Sequence, residues 1–422
     1  MEQVKTKLFK RDFTLVVIGQ IISLFGNAIL RFALPLYLLR ETGSSAIFGM
    51  VTACSFVPMI ILSVLGGVLA DRVNKRNIMV ALDFGTAALI AVFCLLLGKA
   101  PVVPLFIAFL MLLYGISGTY QPSVQASIPA LVAPDRLMEG NAVINQVNTL
   151  ASLLGPILGG ILFGAWGVWP ILLISIVCFT CSAVMEIFIH IPYTAQPKEA
   201  GVLATVRGDL QLSFGFVRRE KPIFISLTFM LAAFNLVFSA AIIVGLPVMV
   251  VQILGLSDAM LGLAQGAMGL GGLAGGVLSA LLASRMKLRQ GHWILTACSL
   301  AAVGMGIALF GGVPTLVGYG IICLMSFGAM ATSTMFTVQM LTVVQQQTPP
   351  ELVGKILSTL MAIAMCAQPI GQAIFGVLFD ACGAFPWAVM LLSGAASLAI
   401  ALYSRGIFLR LDRDMQVVEE RL

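Results

Sequence analysis

The 422-residue chain is 59% hydrophobic and only 10% charged, with 24 Lys and Arg against 18 Asp and Glu for a net charge of +6. Its mean hydropathy is +1.04. So little charge cannot solvate a globular surface, which excludes a soluble domain and implies that most of the surface faces lipid. No stretch interleaves Lys or Arg with aromatic residues as a nucleic-acid-binding face does, so the cations are expected to sit beside anionic headgroups and no nucleic-acid partner is expected.

A membrane-crossing helix needs about 20 apolar residues. Apolar runs set against turn and charge signals predict an all-α integral membrane protein with twelve spans. In chain order they are 13–39, 45–70, 77–98, 102–127, 140–164, 170–190, 222–250, 259–283, 292–312, 314–344, 353–380 and 386–408. The basic start Lys5 to Arg11 precedes an apolar run that is too long for a cleaved leader and ends in Pro35-Leu-Tyr37, so the first helix is expected to stay. Placing the N-terminus inside puts every Lys and Arg except Arg31, Arg40 and Lys99 on the cytoplasmic side or at cytoplasmic helix ends. That asymmetry is the positive-inside pattern, and it predicts a multi-pass membrane protein with both termini cytoplasmic.

Between the second and third spans lies Gly67-Val-Leu-Ala-Asp71-Arg72-Val-Asn74-Lys75-Arg76, a knot of charge between two apolar runs. It resembles the loop between helices 2 and 3 of the major facilitator superfamily, departing only at Asn74, where that family usually has a second glycine. The resemblance implies two pseudo-symmetric six-helix bundles. Here they would be residues 1–190 and 222–409, joined by a cytoplasmic linker at 191–221 and followed by a cytoplasmic tail at 410–422. An amphipathic helix is expected around Arg207–Arg219 in that linker. Internal repetition fits the division: Gly66-Gly-Val-Leu ends the second span and Gly275-Gly-Val-Leu278 recurs near the end of the eighth.

Polar side chains inside a bilayer are costly and should face a partner or a cavity. Helical spacing puts Gln20, Asn27 and Arg31 on one stripe of the first span, and Tyr114, Gln121 and Gln125, flanked by Ser117, on one stripe of the fourth. Asn141, Asn145 and Asn148 form the clearest stripe, in the fifth. The superfamily's central cavity is surrounded by helices 1, 4, 7 and 10, and its fifth helix lies at the bundle interface. The resemblance therefore makes the first two stripes, with Asn235, Phe234 and Phe238 of the seventh span, candidates to line a substrate cavity, and the asparagine stripe a bundle interface. For Ser and Thr the simpler expectation is glue between helices. Arg31 is expected either to snorkel or pair with an acid, or to anchor an anion or carboxylate in the cavity or serve as a gating partner. Acids within spans are few. A carboxyl removed from water favours its neutral form, so Asp83 and Glu186 are candidate proton carriers; the alternatives are pairing of Asp83 with the nearby loop cations and of Glu186 with His190 or Lys198.

The fifth span carries Gly155-Pro156-Ile-Leu-Gly159-Gly160. It resembles the antiporter signature of exporter branches of the superfamily, with Ala151 where those have a further glycine, and it implies a helix that bends and packs closely. Together with Gln20-Ile-Ile-Ser-Leu-Phe-Gly26, Tyr120-Gln-Pro122 and Gly140-Asn141-Ala, the chain resembles the drug:proton antiporter branch that holds bacterial macrolide-efflux and siderophore (enterobactin) exporters. The implied function is multidrug-type export of an amphiphilic small molecule by proton-driven alternating access, with Gly67, Asp71, Arg72, Lys75 and Arg76 as the cytoplasmic gate.

No cofactor beyond the proton gradient is expected, and the transporter is expected to act as a monomer among membrane lipids. There is no G-x-x-x-x-G-K-[ST] loop for ATP, and the glycines from Gly262 to Gly272 lie in an apolar span with no preceding strand, where they read as helix packing. Cys178 and Cys181 are spaced like a redox pair but lack an activating base or cation. With only two histidines, at span ends, no metal site and no enzyme is expected. The rival readings are a lipid or lysolipid flippase on the same fold and a non-transporting membrane receptor or scaffold.

Overall fold

A computed structural model of the chain describes residues 8–192, 202–282, 288–349 and 352–419. Among these residues every extended regular element is a helix: α1 (Arg11–Thr42), α2 (Ser45–Arg72), α3 (Lys75–Leu96), α4 (Val102–Leu131), α5 (Leu137–Trp166), α6 (Val168–Ile187), α7 (Val202–Arg219), α8 (Ile223–Ile253), α9 (Asp258–Leu282), α10 (Gly291–Ile307), α11 (Thr315–Gln346), α12 (Val353–Ala381) and α13 (Pro386–Glu419). Each predicted span has its helix. Eleven are at least 18 residues long and apolar enough to cross a bilayer; α10, at 17 residues, is the short one. The additional helix, α7, covers the expected amphipathic stretch of the linker. Part of that linker (193–201) and the last residues of the tail (420–422) lie outside the described residues.

The helices begin and end where local chemistry directs. Asn74, the departure from the family pattern, caps α3: its side chain accepts a hydrogen bond from the Arg76 backbone N–H at 3.0 Å, with φ at −58°. No left-handed backbone occurs there, so no glycine is needed. Between α5 and α6 the chain turns through Gly167 at φ +72°, where a side chain would be strained.

The chain divides into two compact units. One holds residues 1–42 and 54–202, and the other 43–53 and 203–422. The first eleven residues after Thr42, which open α2, thus cluster with the second unit, although the sequence places them within the first bundle. In the first unit α1 packs on α5 and α6, and α3 on α4 and α6; in the second α8 packs on α12, α10 on α11 and α13, and α9 on α11. Apolar burial does not drive helix association in lipid, so close packing through small residues must do it. The repeated Gly-Gly-Val-Leu segments do this in both units. A Cβ on Gly66 would come within 2.7 Å of Thr119 Cα in α4, and one on Gly275 would collide with the Ala331 carbonyl in α11. The glycine run of α9 has the same use, Gly271 lying against the Phe327 carbonyl.

The antiporter-like glycines of α5 also serve close approach. A Cβ on Gly155 would collide with Ala28 of α1, and one on Gly159 would come within 3.0 Å of the Phe32 ring. Gly160 is buried and Pro156 half-buried beside them.

Candidate functional site

Four helices of the first unit bring polar groups together in an otherwise apolar interior. Here α1 contributes Gln20 and Ser23, α3 Asp83, α4 Tyr120, and α6 Ser182 and Glu186. All are shielded from solvent: Glu186 and Gln20 are 0% exposed and Asp83 2%. The Tyr120 hydroxyl stands at the centre. It donates to Glu186 Oε1 at 2.7 Å and accepts from Gln20 Nε2 at 2.8 Å, with the Ser23 hydroxyl 3.4 Å away. Asp83 is buried beside the same small cavity that Tyr120 borders. Ser182 donates to the Gly19 carbonyl at 3.2 Å. Asp83 Oδ2, Glu186 Oε2 and Gln20 Oε1 are buried without a hydrogen-bond partner.

Glu186 has a neutral partner, Tyr120, rather than His190. His190 instead gives its backbone N–H to Asp12 Oδ1 at 3.1 Å, and Lys198 lies outside the described residues. Beside the cluster is a cavity of about 20 Å³, room for one water molecule, bordered by Asp83, Tyr120, Ser23, Asn27, Ser117 and Gln121. Asn27 reaches across it, donating to the Ser117 hydroxyl at 2.7 Å.

Farther along α1 the Arg31 guanidinium lies over the face of Tyr114, its Cζ 3.9 Å from the ring centroid, and Nη2 points at the Met59 thioether at 3.6 Å. Phe56 packs edge-on against Tyr114 at 5.4 Å. Gln125 is exposed at the surface of the unit, as are Asn141 and Asn145; Asn148 is half-buried. The amides of Asn141 and Asn148 return to their own helix at Leu137 O and Ile144 O. Arg72, Lys75 and Arg76 are half-buried, while Gly67 and the side chain of Asp71 lie outside the described positions.

In the second unit the seventh span is packed inward. Phe234 and Phe238 stack at 4.8 Å and are 5% and 3% exposed. Asn235 opens a stretch of wider helical turns (Asn235–Ser239) and donates to the Ala364 carbonyl of α12 at 3.3 Å. It also accepts from the Ser239 hydroxyl of its own helix at 3.0 Å, and its bond to Ala364 has the role of glue between helices.

Helical spacing found Gln20, and charge within apolar spans found Asp83 and Glu186, but neither found what joins them. Tyr120, Ser23 and Ser182 went unassigned, although a tyrosine hydroxyl deep in an apolar span must find a partner. Gln20, placed by its stripe on the cavity wall, is fully enclosed and holds Tyr120.

The Major Facilitator Superfamily signature matches residues 16–375. The chain belongs to the major facilitator superfamily. It is a transporter, not an enzyme, and the reading as a passive scaffold falls with that. Macrolide efflux protein A of Streptococcus pyogenes is 23% identical over 403 residues, covering 93% of this chain and 95% of the relative. The enterobactin exporter EntS of Salmonella paratyphi A is 27% identical over 379 residues, 87% of this chain and 85% of its own. Among solved structures, a mutant of the nucleoside transporter NupG superposes with a TM-score of 0.74 at 12% identity, over 95% of this chain and 100% of that one. That likeness shows the shared superfamily fold. As a superfamily transporter with efflux relatives, the chain acts on small molecules and is a multi-pass membrane protein.

Proposed function

We propose that this superfamily transporter is a proton-coupled exporter of amphiphilic compounds in the bacterial plasma membrane, acting as a monomer with both termini cytoplasmic, and that Asp83 and Glu186 carry the proton. The observation that carries the reading is the Tyr120-centred cluster: two carboxyls, Asp83 and Glu186, are buried in one apolar interior, each keeps an oxygen without a hydrogen bond among the described residues, and Glu186 is held by the neutral Tyr120 hydroxyl. Two like charges at close range in a low-dielectric site repel strongly, and one bound proton removes that repulsion. A site with that property changes its interactions when it gains or loses a proton, which is what coupling requires.

Export as the direction is supported by the similarity to macrolide efflux protein A and EntS and by the Gly155-Pro156 segment of α5. Asn27, Ser117, Tyr114 and Gln121 offer the polar wall for cargo beside the carboxyl cluster. Residues Gly67, Asp71, Arg72, Lys75 and Arg76 act as the latch on the cytoplasmic side, and Asn141, Asn145 and Asn148 as the face that meets the other bundle during the rocking motion.

The test is substrate-induced proton release from inside-out vesicles with an acidic interior, using a macrolide, a lipophilic cation and a catecholate siderophore. Release with one of them, lost in Asp83→Asn or Glu186→Gln, is the expected result. If none of the three moves protons while the protein remains folded in the vesicles, the reading is wrong.

A further inference from the structure

Arg31 is the one cation set deep in the described spans of the first unit, and its surroundings are unusual. It lies nine residues before Arg40, the exposed residue at the aqueous end of α1, which is about 14 Å along a helix. The side chain does not run along α1 toward that end. It folds across to α4, where the guanidinium covers the Tyr114 ring at 3.9 Å. No described carboxylate pairs with it. Among the described residues its only hydrogen bond goes to a thioether, a weak acceptor, at 3.6 Å from Met59, and its buried Nε–H has no partner there. A guanidinium presents five donors in a fixed fork suited to carboxylate or phosphate oxygens. Leaving its buried Nε–H idle is costly, and the stack on Tyr114 offsets only part of that cost.

The ring beneath the guanidinium is itself supported by Phe56 at 5.4 Å. The fork is thereby held in one orientation beside an apolar, aromatic and thioether wall. One turn earlier on α1, Asn27 and its partner Ser117 continue the polar surface into the cavity next to Asp83 and Tyr120. A cation with idle donors on an apolar wall matches an amphiphile that carries a negative group on an apolar body.

We propose that Arg31 is an anion-binding site, and that the molecules this transporter recognises carry a carboxylate, phosphate or comparable oxyanion that docks on its guanidinium. That the bound anion is exported cargo rests on the export reading above; the binding itself does not. The same chemistry could be presented by a dissolved amphiphile or by a lipid headgroup.

The experiment measures equilibrium binding to the full-length protein in phosphatidylcholine nanodiscs with no gradient. Pyrenebutyrate, pyrenebutanol and pyrenebutyltrimethylammonium share one apolar body and differ in charge, and energy transfer from the protein's four tryptophans reports occupancy. Pyrenebutyrate is expected to bind roughly ten- to hundredfold more tightly than the other two, the worth of a hydrogen-bonded charge pair. Arg31→Gln should abolish that preference and Arg31→Lys should keep part of it. Equal binding of the three probes by the unaltered protein, or an anion preference that survives Arg31→Gln, overturns the proposal. The unaltered protein alone decides the first point, so a poorly folding variant leaves the test intact. Replacing part of the lipid by phosphatidylglycerol distinguishes the sources: competition with pyrenebutyrate identifies a headgroup as the occupant, and undisturbed binding identifies a dissolved anion. Failure of proton release in vesicles with anion binding intact would remove the export reading and leave this site standing.

Discussion

Tyr120 and Glu186, on α4 and α6, are joined by a hydroxyl-to-carboxyl hydrogen bond of 2.7 Å with neither group open to solvent. The same hydroxyl is held from the other side by Gln20 at 2.8 Å. Three helices are thus tied through one oxygen, and a change at Glu186 is felt directly by α1 and α4. This arrangement separates the chemistry of the proton from the mechanics of packing, and the two can be tested apart.

Glu186→Gln preserves the shape of the side chain and an acceptor for Tyr120 but removes the group that binds a proton. Gradient-driven movement of substrate in proteoliposomes is expected to fall to the level of protein-free vesicles, while exchange of substrate between the two sides without a gradient persists. Loss of both activities together would assign Glu186 to substrate binding or to folding instead.

Tyr120→Phe removes one hydroxyl and leaves Gln20 Nε2 and Glu186 Oε1 buried without their partner. Two polar groups stranded in an apolar interior destabilise by about 1–3 kcal/mol each, which should appear as a lower melting temperature of the purified protein. Ser23→Ala, whose hydroxyl is 3.4 Å from the same oxygen, should cost clearly less. Equal melting temperatures for Tyr120→Phe and the unaltered protein would argue against a closed network.

Gly155→Val places side-chain atoms where Ala28 of α1 already lies. Overpacking of this kind costs about 1–3 kcal/mol, so the variant should express poorly or melt earlier. A second change, Ala28→Gly, opens the space on the facing helix and should restore part of the stability. Without that rescue, the glycine would be needed for a bend in α5 rather than for its approach to α1.

Asp380, near the end of α12, accepts from the Ser44 hydroxyl at 2.6 Å and from the backbone N–H groups of Ser45 and Ala46 at 2.7 and 3.1 Å. It caps the first turn of α2 from another helix, and the negative charge suits the positive end of the helix dipole. Asp380→Ala should weaken that turn by about 0.5–2 kcal/mol, read as faster amide exchange over residues 45–48. Asp380→Asn keeps an oxygen but loses the charge, and should fall between the two.

Much of the architecture was legible in the chain. Every predicted span became a helix because the bilayer imposes a minimum apolar length, and the repeated Gly-Gly-Val-Leu segments marked equivalent close contacts in the two units. Asn74 was read as a departure from a pattern, and it turned out to be a helix cap that needs no glycine. Phe234 and Phe238 are buried and stacked on each other, a packing that the sequence does not specify, since an aromatic residue in an apolar span looks alike whether it faces a cavity or a neighbouring helix.

The site was legible in its parts only. Hydropathy singled out Asp83, Glu186 and Arg31, because charge in an apolar run is rare at any depth, and helical period assigned each polar residue to a face of its own helix. Period says nothing about what stands opposite. That Tyr120 meets Glu186 across 66 residues of chain, that Gln20 closes the network across 100, and that Arg31 turns to Tyr114 instead of an acid were decided by how the helices pack. Length and polarity act along the chain and are written in its order, whereas partnership between buried polar groups depends on distances that exist only after the helices assemble.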